Sequence, residues 1–228
     1  MPTYSQAEKP KMIVKKPDPK RIVQMPVFGP LELGVTLDAS SSMEHLRNAV
    51  IVGCNALLSE QKPGSRFTAN VFSDSIKFLH RNASVESVLG LSLETYRPYG
   101  NTALLDGIGT IMKEIGNRFD KARGADRSRV LIAILTDGME NSSQLFGFDQ
   151  IFRMIHQRRL MNWEFLFLTA DAGGINYGLK LGIKRSNIIE FSPNPESITL
   201  LLERLSKAVG AYQLGDRNFT RLLLTDRP

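Results

Sequence analysis

The chain has 228 residues, 42% of them hydrophobic, which suits one α/β domain with its own core plus terminal extensions. Its single cysteine, Cys54, excludes an intramolecular disulfide, and no stretch approaches the roughly 18 apolar residues that a membrane helix needs. The formal net charge is +6 and the sequence pI about 9.5, with much of the excess gathered near the N-terminus.

Residues 1–29 read as a basic arm. Lys9, Lys11, Lys15, Lys16, Lys20 and Arg21 face only Glu8 and Asp18, and Pro2, Pro10, Pro17 and Pro19 keep the backbone extended. The lysines have no interleaved aromatic residues of the stacking kind, which argues against nucleic acid. No apolar core of a secretory signal is visible, so a cytoplasmic location is expected.

Residues 31–37 form a short apolar run that ends in Asp38, the pattern of a buried strand. Ser42 is placed to cap a helix whose apolar stripe is Met43, Leu46, Ala49, Val50, Cys54, Leu57 and Leu58. Cys54 lies on that stripe and is expected to be a buried structural thiol. Lys62-Pro63-Gly64 breaks the helix. Residues 67–72 and 76–80 read as strands joined so tightly, through Ser73-Asp74-Ser75, that they must form an antiparallel hairpin. A short helical piece is expected over 85–89. Thr102 opens a helix with Leu105, Ile108, Ile111, Met112, Ile115 and Phe119 on one face. The continuous apolar run 130–135 marks a central parallel strand covered on both sides. A helix over 149–159, a strand over 163–168, a helix over 175–181 and a strand over 188–191 follow. Asn194 caps and Pro195 starts a last helix, with the stripe Ile198, Leu201, Leu202, Leu205, Ala208 and Val209. Residues 30–212 are thus expected to form one domain and 213–228 a C-terminal tail. Strands alternating with helices predict an α/β fold: a doubly wound, mostly parallel six-stranded sheet, Rossmann-like, with one antiparallel edge strand.

In such a sheet, ligands sit beyond the carboxyl ends of the strands. Asp38 follows the first strand, with hydroxyls at Ser40 and Ser42, and Asp137 follows the central strand. Thr102 begins a helix at the same edge. These five side chains supply hard oxygens of the kind a divalent cation needs. The three histidines, His45, His80 and His156, fall in predicted helices or strands away from that edge, and no G-x-S-x-G occurs.

Asp38-x-Ser40-x-Ser42, Gly100-Asn101-Thr102-Ala103-Leu104 and Leu135-Thr136-Asp137-Gly138 resemble the metal-ion-dependent adhesion site of von Willebrand factor A domains, and the likeness extends over residues 30–210. The stretch from Leu168 to Ile183 resembles the small bacterial or phage-type members. The resemblance implies an intact site holding Mg²⁺ (or Mn²⁺ or Ca²⁺), with Ser40, Ser42 and Thr102 as ligands, directly or through water, and Asp38 and Asp137 completing the shell. It implies a non-enzymatic adaptor whose protein partner presents an Asp or Glu to the cation; the composition predicts no membrane partner and argues against nucleic acid. AAA+ ATPases, kinase modules and phosphatase modules are associated with small members of this type. The alternative is a Mg²⁺-dependent phosphoryl-transfer enzyme using Asp38 as acceptor. Such enzymes want a second Asp two positions later, where Ser40 stands.

Overall fold

Strand β1 (Leu31–Asp38) is buried along its whole length. The computed structural model describes residues 29–123, 127–170 and 172–224. The expected basic arm lies outside them except for Gly29. β1 is followed by α1 (Arg47–Ser59), β2 (Arg66–Phe72), β3 (Ile76–Ser84), α2 (Leu104–Phe119) and β4 (Arg129–Thr136). Then come α3 (Phe148–Leu160), β5 (Glu164–Thr169), α4 (Ala172–Lys180), β6 (Ile188–Glu190) and α5 (Pro195–Gln213).

The strand order is β3-β2-β1-β4-β5-β6. All neighbours pair in parallel except β2 and β3, whose tight hairpin forces them antiparallel and sets β3 at the edge. This is the expected doubly wound, mostly parallel six-stranded sheet with one antiparallel edge strand. The chain winds outward from β1 through β2 and β3, then returns to add β4 on the other side of β1. The two connections therefore diverge between β1 and β4, leaving a crevice at their carboxyl ends.

Period-two alternation divides the core. Leu131, Ala133 and Leu135 of β4 pack in the layer that holds α1 and α5, whereas Val130, Ile132 and Ile134 pack in the layer that holds α2 and α3. Both layers are apolar, which is why the strand reads as an unbroken hydrophobic run. α5 starts where its cap predicts: the Asn194 side chain accepts from the Ser197 backbone N–H at 2.9 Å. Among the described residues, no helix is long and apolar enough to cross a membrane.

Three details differ from expectation. β3 continues to Ser84, because Asn82 adopts φ 49° and donates its N–H to Thr68 Oγ1 at 3.1 Å, which carries the pairing past the polar Arg81-Asn82 step. The helical piece at 85–89 is a single 3-10 turn, Val85–Ser87. Within the region read as a tail, a 3-10 helix (Phe219–Leu223) buries Phe219 and Leu223, with the Phe219 ring 4.8 Å from that of Tyr212.

Cys54 is buried in the layer between α1 and α5. Loss of hydration pushes its thiol up to about 12, so almost no thiolate exists at neutral pH. The folded protein is expected to show no thiol titre with a disulfide exchange reagent, and one equivalent after denaturation. A native titre near one would mean that α1 opens readily.

Candidate functional site

The expected oxygen residues meet at the crevice between β1 and β4. Asp38 is the last residue of β1, and its side chain is 0% exposed. Its Oδ1 accepts from the Ser40 backbone N–H at 2.7 Å, and its Oδ2 accepts from the Thr136 hydroxyl at 2.6 Å. The hydroxyls of Ser40 and Ser42 lie 3.0 Å apart, and the Ser42 hydroxyl donates to Asp137 Oδ1 at 2.7 Å. Four of the five residues are thus joined by hydrogen bonds across 99 positions of sequence, from Asp38 to Asp137. Thr102 is buried and borders the same loop: a Cβ on Gly138 would lie 3.7 Å from its hydroxyl.

The local backbone explains the convergence. After β1 the chain turns into a 3-10 helix (Ser41–Leu46) with Ser40 at its N-cap position, and no side chain caps it. Ser42 was expected to cap a helix. Its hydroxyl is instead committed to Asp137, and α1 proper begins only at Arg47. Likewise α2 begins at Leu104, two residues after Thr102, which leaves Thr102 in the preceding loop. That loop is pinned on two sides. Thr102 exchanges bonds with Asn141: its N–H donates to Asn141 Oδ1 at 2.8 Å, and its carbonyl accepts from the Asn141 N–H at 3.1 Å. The Asn101 N–H and Nδ2 both donate to Asp74 Oδ1 at 2.9 Å. Gly100, just before Asn101, has φ 71°, and a Cβ there would collide with the Asp74 carboxylate, so only glycine fits.

Burial dominates the electrostatics of Asp38. Desolvation raises its carboxyl from the ordinary 3.8 to about 6, against hydrogen bonds from Ser40 and Thr136 that favour the charged form. The carboxylate of Asp137 adds to the rise. An excess of buried negative charge is a setting in which a bound cation is stabilising. The same burial argues against Asp38 as a phosphoryl acceptor, since both its oxygens are engaged inside the protein and none faces solvent.

One expectation is corrected. Among the described residues, no group of three or more His, Cys, Asp or Glu side chains is gathered as a metal-holding cluster. An intact metal-ion-dependent adhesion site is therefore not supported. The physical reason is visible in the bonding: the site has only two carboxylates, and its oxygens satisfy one another rather than converging on a common point.

Several residues of the site escaped the sequence reading. Thr136 belongs to the motif Leu135-Thr136-Asp137-Gly138 but was given no role there, and it fastens Asp38. Tyr96 is buried and donates its hydroxyl to the Asp38 carbonyl at 2.6 Å, and nothing in its local sequence marks it. Asn141 has no signal either. His45 was placed away from the edge, yet its ring lies 2.7 Å from the Ser42 carbonyl and 3.0 Å from that of Pro193. It ties the turn after β1 to the residues that lead into α5.

No protein-family model and no curated protein matches the sequence. Solved structures do match its fold. Proximal thread matrix protein 1 from the mussel byssus superposes with a TM-score of 0.58 at 13% identity, covering 79% of this chain and 48% of that one. A von Willebrand factor type A protein from Catenulispora acidiphila gives 0.54 at 14% identity, covering 78% and 42%. The manganese-loaded TRAP protein of Plasmodium vivax gives 0.53 at 16% identity, covering 75% and 72%. The chain spans about half the length of the first of these. At such identities the likeness is one of fold.

Proposed function

We propose that this chain is a non-catalytic protein-interaction module of the adaptor kind, whose binding face is the carboxyl edge of β1 and β4. In this reading Asp38, Ser40, Ser42, Thr102 and Asp137 together take up a divalent cation, Mg²⁺ first, and a partner's Asp or Glu completes the contact. The observation that carries the reading is the hydrogen-bonded run Ser40–Ser42–Asp137 beside buried Asp38, at the point where the connections diverge. The donors are all oxygen, which suits a hard cation, and only two are charged. Bound there, the cation would have two carboxylates and three neutral hydroxyls about it, and its open position would attract a partner's carboxylate. Uptake exchanges the bonds that these oxygens now make with one another for bonds to the metal. Tyr99 and Met139, 53% and 45% exposed, lie next to the Gly100 and Gly138 loops and give a partner apolar contact area. That a manganese-loaded protein shares the fold supports the choice of ligand.

Calorimetry on the chelator-stripped full chain tests this. Mg²⁺ or Mn²⁺ is expected to bind one site, and at about 100 times the dissociation constant to add about 2.7 kcal/mol of stability. Ser42→Ala and Thr102→Ala are each expected to weaken binding at least about tenfold. No heat with Mg²⁺, Mn²⁺ or Ca²⁺, or unchanged binding in both variants, overturns the assignment.

A further inference from the structure

The opposite edge of the sheet carries a second feature that the reading above does not use. At the amino ends of β4 and β5 lies a cavity of about 460 Å³. Five cationic side chains line it, Arg127, Arg129, Arg159, Lys184 and Arg217, against one carboxylate, Glu164. A second cavity of about 420 Å³ opens beside it and shares Glu164, Lys184 and Arg217.

The one acid is already satisfied. Glu164 Oε1 lies 2.9 Å from Lys184 Nζ, and its Oε2 accepts from Asn187 Nδ2 at 2.9 Å. Among the described residues, Arg127, Arg159 and Arg217 have no carboxylate within ion-pair distance. Asp120, whose charge Arg127 also feels, is bonded to Arg158 at 2.5 Å. Among the described residues, the cavity lining thus sets five cationic side chains against a single carboxylate that is already bonded.

The guanidinium groups are also oriented. Arg127 sits over the Phe119 ring at 4.7 Å, and Arg129 over the Tyr212 ring at 4.1 Å. Those rings are themselves held, Phe119 edge-on to Trp163 at 5.3 Å and Tyr212 against Phe219 at 4.8 Å. Arg159 Nη1 donates to the Gly182 carbonyl, and its buried Nε has no hydrogen-bond partner among the described residues. Planar forks held in place around a polar cavity match the tetrahedral oxygens of phosphate better than a lysine patch does. The volume falls within the range of small-molecule sites, and the aromatic faces are already covered by arginines, so a stacked base gains little there.

We propose that this cavity binds a polyphosphorylated small molecule, with the phosphate chain and not an attached nucleoside as the recognised part. Inorganic triphosphate and the triphosphate group of a nucleotide share that chemistry.

Calorimetry with the full chain tests it, using inorganic triphosphate, ATP, adenosine, citrate and a single-stranded oligonucleotide as probes. The emission of the single tryptophan, Trp163, reports the same end of the sheet. Triphosphate and ATP are expected to bind with similar affinity, adenosine not at all, and citrate at least about tenfold more weakly than triphosphate. Arg127 and Arg217 are exposed, so Arg127→Ser/Arg217→Ser is expected to keep its melting temperature and lose at least about tenfold in triphosphate affinity. Should the double variant melt early, Arg217→Ser alone is expected to weaken binding measurably at unchanged melting. Ser42→Ala is expected to leave triphosphate binding untouched, which separates this site from the one at the other edge. Absence of triphosphate binding, equal binding by citrate, or unaltered affinity in the arginine variants overturns the proposal. Tight oligonucleotide binding that triphosphate fails to displace does so too, in favour of a nucleic-acid surface.

Discussion

Asp106→Ala is expected to destabilise the protein by about 3–5 kcal/mol. Asp106 lies in the first turn of α2 and is 5% exposed. Its Oδ1 accepts from the backbone N–H groups of Leu145 and Phe146, and its Oδ2 from that of Gln144, each at 2.9 Å. Truncation removes three charge-assisted bonds, each worth about 1.5–3 kcal/mol at most, and leaves the buried Phe146 donor unsatisfied, while those of the exposed Gln144 and Leu145 can turn to water. The segment it holds begins at Asp137 and includes Asn141, which fixes Thr102. Stability and cation binding should therefore fall together, whereas Ser42→Ala should touch binding alone. Urea unfolding measures the first and calorimetry the second. For a domain of this size the loss corresponds to a melting temperature lower by about 6–20 °C. A loss below about 1 kcal/mol would show that the segment is held by Glu140, whose carboxylate accepts from Leu105, Ser142 and Ser143, without help from Asp106.

Asp38→Asn is expected to stabilise the metal-free protein at neutral pH and to lose that advantage in acid. Burial raises the Asp38 carboxyl from 3.8 to about 6 in the folded state. Between those values the folded chain binds more protons at this group than the unfolded chain, so stability falls as pH rises through the window. Below the ordinary value both states are protonated and the group contributes nothing. Above about 6 the folded state carries a buried charge, and the gap between the two values corresponds to about 3 kcal/mol of destabilisation. Asparagine removes the charge but keeps only one acceptor for Ser40 and Thr136, a loss of about 1 kcal/mol. A net gain of about 1–2 kcal/mol is therefore expected in chelator at pH 7.5, shrinking to zero or reversing below pH 4. Adding a divalent cation should invert the order at pH 7.5, because only the carboxylate gains from it. Denaturant midpoints of both proteins across that range, with chelator and then with Mg²⁺, measure this. A wild-type advantage in chelator at pH 7.5 would mean that the hydrogen bonds to Asp38 outweigh its burial.

The sheet was legible because its signals are local. The run 130–135 is apolar on both faces, the hairpin connection at 73–75 is too short for anything but antiparallel pairing, and Asn194-Pro195 marks a helix start. Each follows from chain chemistry within a few residues. The same holds for Asp38, Ser40, Ser42, Thr102 and Asp137 as individual oxygen donors at one sheet edge. What those oxygens do with one another was not legible. Whether Ser42 caps a helix or bonds Asp137 depends on where β4 lies relative to β1, and that placement is set by packing on both faces of the sheet. The supports of the site, Tyr96, Thr136, Asn141 and His45, act across distances in sequence that no periodicity encodes. The basic cavity at the far edge is a stronger case. Arg127, Arg159, Lys184 and Arg217 come from four separate segments, each unremarkable as a surface charge alone. Local sequence determined which elements form and which faces are buried, since propensity and hydrophobic period act over one turn or one strand. Only the tertiary structure decided which polar groups meet, because their partners are chosen by how the elements pack.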